Sequence, residues 1–208
     1  MLKTRRLSFH YVLFYKPYGV LSQFTAQKGR KTPADFGPFP HDVYPVGRLD
    51  ADSEGLLLLT NDNLVAHRLT DPTFGHPRTY LVQVERIPNT ESLEKLRKGI
   101  MIEGRKTKPA AVRLLESDPD LPARPVPIRL RKTVPTVWLE VTLHEGRNRQ
   151  IRKMTAAVGH PTLRLVRTRI GDVLTLEGLF PGESRSITES EIHQLRRKLG
   201  IERRLSSH

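Results

Sequence analysis

The order of its β-type and helical segments constrains this chain more than any other feature. Residues 9–16 are rich in aromatic and β-branched side chains and run into Lys16-Pro17-Tyr18-Gly19, where proline and glycine end a strand in a turn. Residues 27–41 carry Pro33, Pro38, Pro40 and several glycines, so regular structure is not expected before Tyr44. Residues 56–60 form a short apolar run between Gly55 and Asn61, the pattern of a buried strand, and 63–69 read as a short helix. Residues 79–84 alternate. Residues 90–98 place Leu93 and Leu96 on one helical face, with Thr90 as expected N-cap and Gly99 beyond the end. Strands are expected at 110–115, 128–130 and 136–143, with a proline-containing segment from 119 to 127. Asn148 is placed to cap a helix reaching Val158, with Ile151, Met154 and Val158 turned inward and Gly159 closing it. Strands at 163–168 and 173–176 and a helix from Glu189 to about Leu199 complete the chain.

Strand and helix do not alternate as in a doubly wound fold. The expected class is therefore α+β, a mixed, mainly antiparallel sheet with flanking helices around a central cleft. A chain of 208 residues buries a sizeable core, and one domain spanning 1–208, with room for two subdomains about the cleft, is the expectation.

Charge indicates the kind of partner. Against 22 acidic residues stand 35 lysines and arginines, a formal net charge of +13, which points to a polyanion. The excess is concentrated: from His144 to Arg169 run Arg147, Arg149, Arg152, Lys153, Arg164, Arg167 and Arg169, with Glu145 the only acid. Arg149 and Arg152, three apart, share a helical face, leaving the apolar residues the other. This makes the segment a candidate RNA surface. The run from Arg196 to Arg204 reads equally as a phosphate contact or a solvated tail.

Cysteine is absent, which removes disulfides, thiolate metal sites and thiol nucleophiles and suits a reducing cytoplasm. The apolar stretch after the basic start is interrupted by His10 and Lys16 and is too short to span a bilayer, so no membrane segment is expected.

In so basic a chain the acidic patch of Asp50, Asp52, Glu54 and Asp62 needs a reason. Asp50, Asp52, Glu54 and Gly55 imitate the start of a calcium loop, but Asn61 stands where the bidentate glutamate belongs and an apolar run replaces the flanking helix, so no metal is expected. On local evidence alone, Asp50 is a surface aspartate in a turn.

Four stretches together change that reading: Lys16-Pro17-Tyr18-Gly19-Val20-Leu21-Ser22; Tyr44-Pro45-Val46-Gly47-Arg48-Leu49-Asp50 through Asp62; Arg78-Thr79-Tyr80-Leu81-Val82; and Glu145-Gly146-Arg147-Asn148-Arg149-Gln150-Ile151-Arg152-Lys153-Met154. In order and spacing they resemble the RsuA family of pseudouridine synthases, from about Tyr11 to about Leu195. Tyr15 departs from the asparagine common before Lys-Pro, Ser53 from threonine, and Asn63 from glycine. The resemblance implies a catalytic aspartate at Asp50, a base-stacking tyrosine at Tyr80, an ion pair between Arg152 and Asp50, and an apolar residue, Leu165, beside the target base. Arg48, Arg147, Asn148, Arg149, Lys153 and Arg167 are the candidate RNA contacts. Many relatives carry an N-terminal RNA-binding module of the S4 type. Here the catalytic region begins almost at once, so target recognition is expected from that region itself. The implied partner is ribosomal RNA, from the large ribosomal particle or its precursor, with no protein partner and a monomer by default.

Uridine and pseudouridine are isomers, so the reaction cuts a C–N glycosidic bond, turns the base and joins its C5 to the sugar, with no redox change or hydrolysis. It requires no cofactor. One ionised carboxylate starts it, as nucleophile or by taking a sugar proton. A nearby guanidinium keeps that carboxylate charged, and an aromatic face holds the extruded base. Two rivals are a catalytically silent RNA-binding or ribosome-assembly protein, for which the arginine-rich segment suffices, and a glycoside hydrolase with Asp52 or Glu54 as a second acid.

Overall fold

A computed structural model of the chain describes residues 8–128, 131 and 133–201. At its centre β1 (Tyr11–Lys16) and β3 (Glu54–Thr60) lie antiparallel, Lys16 opposite Gly55 and Tyr11 opposite Thr60. Both strands are buried on both faces, which is why they read as unbroken apolar runs. Tyr11, Leu13, Tyr15, Leu56 and Leu58 face one core, while Val12, Phe14, Leu57 and Leu59 face another completed by Val43, Phe24, Phe36 and Phe39.

The remaining strands are β2 (Tyr44–Pro45), β4 (Arg78–Glu85), β7 (Ala111–Leu114), β8 (Thr136–Leu143), β9 (Thr162–Ile170), β10 (Leu174–Thr175) and β11 (Ser184–Ser186). They extend a sheet of nine strands ordered β11-β1-β3-β9-β4-β8-β7, with β2 on β3 and β10 on β9. Among the described residues only β3 and β9 pair in parallel; the other pairings are antiparallel, as the expected class requires. A separate hairpin joins β5 (Met101–Ile102) to β6 (Arg105–Lys106).

The helices are α1 (Asn63–Thr70), α2 (Thr90–Lys98), α3 (Gln150–Ala157) and α4 (Glu189–Lys198). α1 and α4 cover the first core beside Leu58 and Val166; α2 and α3 cover another, formed by Val82, Val84, Leu139, Val141, Ile151, Met154 and Leu165. Strand β9 belongs to both, giving Val166 and Ile170 to one side and Leu165 to the other. These two cores therefore meet at β9.

Several boundaries differ from expectation. α2 is capped by Asn89, whose side chain accepts from Ser92 N, not by Thr90. Asn148 does not cap α3; Arg149 holds that position in a left-handed backbone conformation. Of the strand expected at 128–130, Arg129 and Leu130 lie outside the described residues, and Ile128 is not in a strand. Strand β11 is the polar Ser184-Arg185-Ser186, which carries no apolar alternation to reveal it; pairing with β1 makes it a strand. The basic run from Arg196 is in part structural: Arg196 pairs with Asp62, the N-cap of α1, and Lys198 lies 3.6 Å from Asp172, while residues 202–204 lie outside the described residues.

Candidate active site

The turn carrying Asp50 is fixed from beneath. The Ser22 hydroxyl donates to Leu49 O at 2.7 Å and accepts from Leu49 N at 2.9 Å, and Gly19 N donates to Ala51 O at 2.7 Å. Leu49 is buried as an anchor, so its neighbours Arg48 and Asp50 are left facing outward. Gly47, at φ +70°, permits the bend before them. After the turn Gly55 lies so close to β9 that a Cβ there would sit 2.3 Å from Arg167 O, so only glycine allows β3 and β9 to pair at this point.

Below the turn lies Lys16, fully buried, its ammonium donating to Val20 O at 2.6 Å and Pro17 O at 3.1 Å. Burial lowers its pKa from 10.5 to about 7, although Glu54, Asp52 and Asp50 oppose the shift. Below about 7 both states are protonated and the folded one bears the full cost of a buried charge. Between about 7 and 10.5 the unfolded chain holds more protons, so stability rises with pH. Unfolding of the wild type and Lys16→Met across this window should show the difference moving in favour of the wild type as pH rises.

Asp50 opens into a cleft of about 660 Å³, a volume suited to a small ligand or a single extruded nucleotide. Its walls include Arg48, Tyr80, Leu165 and residues 145–151. The candidates in sequence segments 50, 80 and 165 thus meet at one site. Tyr80 arrives through a β-bulge: Thr79 is opposite Arg169 on β9, yet Tyr80 is opposite Arg167, the extra residue being Thr168.

The charge arrangement differs from expectation in one respect. Among the described residues, the cation paired with Asp50 is Arg149, Nη1 to Oδ2 at 3.6 Å, not Arg152. The same Arg149 fork donates to both oxygens of Asp52, at 2.9 and 2.8 Å, and holds that carboxyl below its usual range. Arg152 stands one layer back: its Nη2 donates to Asp52 O at 2.7 Å and its Nε lies 3.5 Å from the Asp52 carboxylate. Arg149 has a left-handed backbone (φ 51°, ψ 33°) at the N-cap of α3, ahead of the helix proper, and from there its side chain reaches the turn that carries Asp50.

The remaining candidates divide. Asn148 is exposed on the cleft and accepts from Lys153 Nζ at 3.4 Å, while Lys153 also pairs with Glu103 at 2.7 Å. Arg147 is used within the protein: it donates to Arg105 O at 3.2 Å and Lys106 O at 2.6 Å, and Glu145 accepts from Lys108 N at 2.8 Å. These bonds fasten the β5–β6 hairpin to the cleft rim. Arg167, expected to meet RNA, is 3 % exposed, with Nε donating to Leu56 O at 2.8 Å and the Tyr80 phenol beside it. From this buried position it lines the cleft, behind Tyr80, and not the outer surface. The sequence reading missed Asp52 as an ion-pair centre, Ser22 and Lys16 as supports, and Arg30 and Arg78 as cleft residues. Lys16, Ser22, Asp52 and Arg78 all stand within the motif stretches, where position alone marked them; Arg30 lies outside them.

The acidic patch now has its explanation, since Asp50 and Asp52 pair with Arg149, Glu54 with Arg164, and Asp62 with Arg196. Glu54, 2 % exposed and held by both arms of its arginine, is not available as a second glycosidase acid. Among the described residues no group of three or more histidine or carboxylate side chains is placed to hold a metal.

In a mainly antiparallel sheet, a carboxylate, a tyrosine and arginines thus converge on one cleft beside the parallel pairing of β3 and β9. The RNA pseudouridylate synthase family matches residues 10–157, and the chain belongs to that family. More particularly, it is 57 % identical over 172 residues to the "Ribosomal large subunit pseudouridine synthase E" of Xanthomonas axonopodis pv. citri (strain 306), covering 82 % of this chain and 90 % of that protein. The protein of the same name in Vibrio vulnificus (strain CMCP6) is 51 % identical over 177 residues, 85 % of this chain and 74 % of that one. A solved structure described as "Crystal structure of pseudouridylate synthase" superposes with a TM-score of 0.74 at 31 % identity, covering 90 % of this chain and 74 % of that one.

Proposed function

We propose that this protein converts a specific uridine of large-subunit ribosomal RNA to pseudouridine, with Asp50 as the reacting carboxylate. The observation that carries the reading is the meeting of Asp50, Tyr80 and Leu165 in one cleft, with a single guanidinium arm near Asp50. The substrate class follows the names of the relatives that share most of this chain.

RNA delivers the uridine extruded from its stack, with Leu165 and the Tyr80 ring as the apolar bed for the base. Asp50, with one Arg149 arm at 3.6 Å, attacks the sugar or removes a sugar proton; the C1′–N1 bond breaks and its electron pair leaves with the base. The base turns and C5 bonds to C1′ as the Asp50–C1′ bond breaks or, on the other route, as the sugar regains its proton; the C5 proton then leaves through the Tyr80 hydroxyl as relay and N1 takes up a proton, which frees Asp50 and leaves an isomer of the substrate. A transcript tritiated at uridine C5 should release tritium to water on incubation with the protein, without free uracil. Free uracil as the main product would contradict the proposal.

RNA is held beyond the cleft by the hairpin that Arg147 fastens, which presents the exposed Arg105, Lys106 and Lys108. Replacing all three by Gln should weaken RNA binding and flatten the slope of log affinity against log salt by about 2 to 3, since each phosphate contact contributes roughly 0.7–0.9. Binding isotherms at several salt concentrations check this.

A further inference from the structure

We propose that Asp52 is a positioning residue that keeps the Arg149 guanidinium from capturing Asp50. The inference rests on the reading of Asp50 as the reacting carboxylate. Two carboxylates, two residues apart, compete for one planar fork. Asp52 takes both arms, at 2.9 and 2.8 Å, and leaves Asp50 a single Oδ2 contact at 3.6 Å. Its main-chain carbonyl also holds Arg152 at 2.7 Å, so one residue organises both cations behind the site.

The separation matters chemically. A carboxylate held bidentate by guanidinium has its lone pairs committed to N–H bonds and is a poorer nucleophile and base. A carboxylate near the same cation, but not chelated by it, keeps an oxygen available to the sugar. Arg149 holds a left-handed backbone, a conformation disfavoured for any residue with a side chain, and the Asp52 bonds are what its side chain gains there. Without the Asp52 charge the nearest anion for the fork is Asp50.

The test measures single-turnover pseudouridine formation at saturating RNA, together with RNA affinity and thermal unfolding, for Asp52→Asn, Arg149→Met and the double variant. Asp52→Asn should lose at least about 10-fold in rate while binding RNA as tightly as the wild type or more tightly, because a negative charge has left a cationic cleft. Adding Arg149→Met to Asp52→Asn should restore part of the rate, since the captor is gone. A variant damaged by misfolding would not regain rate on a second truncation. An Asp52→Asn rate equal to the wild type, or a loss that Arg149→Met deepens or leaves unchanged, overturns the proposal. Full activity in Asp50→Asn would instead overturn the reading on which it rests.

Discussion

Asp50→Asn should reduce pseudouridine formation by more than about 10⁴-fold, the scale on which loss of a reacting nucleophile or base is felt when the rest of the site is intact. The amide has almost the shape of the carboxylate, and the turn that presents it is held by Ser22 and by Gly19 N, not by the Asp50 side chain, so the fold should not change. RNA affinity should be retained or rise slightly, because the substitution removes a negative charge from a basic cleft. The paired measurements are single-turnover product formation and equilibrium RNA binding. A variant that bound poorly and turned over normally once saturated would mark Asp50 as a binding residue only.

Stability should respond most to Glu54 and Arg164. Arg164 Nε and Nη2 reach the two Glu54 oxygens at 2.9 Å each, and Nη2 also donates to Pro122 O at 2.9 Å, with the arginine and glutamate side chains 7 % and 2 % exposed. Removing one partner leaves a buried charge without compensation, a loss of about 3–5 kcal/mol. Against a typical total stability of roughly 5–15 kcal/mol that is a large fraction. Glu54→Leu should therefore lower the urea midpoint sharply. Glu54→Leu combined with Arg164→Leu should recover most of it, since two apolar side chains replace a paired charge at small net cost. The pair ties the first residue of β3 to β9, so the single variant should also loosen the Asp50 turn four residues earlier.

The sequence showed most of the elements and the class of fold, because β1, β3 and β8 have continuous or alternating apolar patterns and α4 ends in recognisable cap and charge signals. It did not show which strands meet. The parallel seam between β3 and β9 joins residues more than a hundred apart, and its one local mark is Gly55, whose missing Cβ makes sense only once Arg167 O is seen against it. The site was legible as a set of motifs. Its wiring was not: helical spacing put Arg149 and Arg152 on one face, and both reach Asp52, but it is Arg149, at the left-handed N-cap ahead of the helix, that reaches Asp50. Burial of Arg167 was equally illegible, since a basic residue in a basic segment reads as surface, whereas it lines the cleft opposite Tyr80 at 3 % exposure.

The decisive experiment maps pseudouridines in large-subunit ribosomal RNA from cells with and without this protein, then adds purified wild type or Asp50→Asn to the deficient RNA. A discrete position should be pseudouridine only when the protein is present, restored by the wild type and left as uridine by the variant. Restoration by Asp50→Asn, or an unchanged map in cells lacking the protein, would refute Asp50-dependent modification of this RNA.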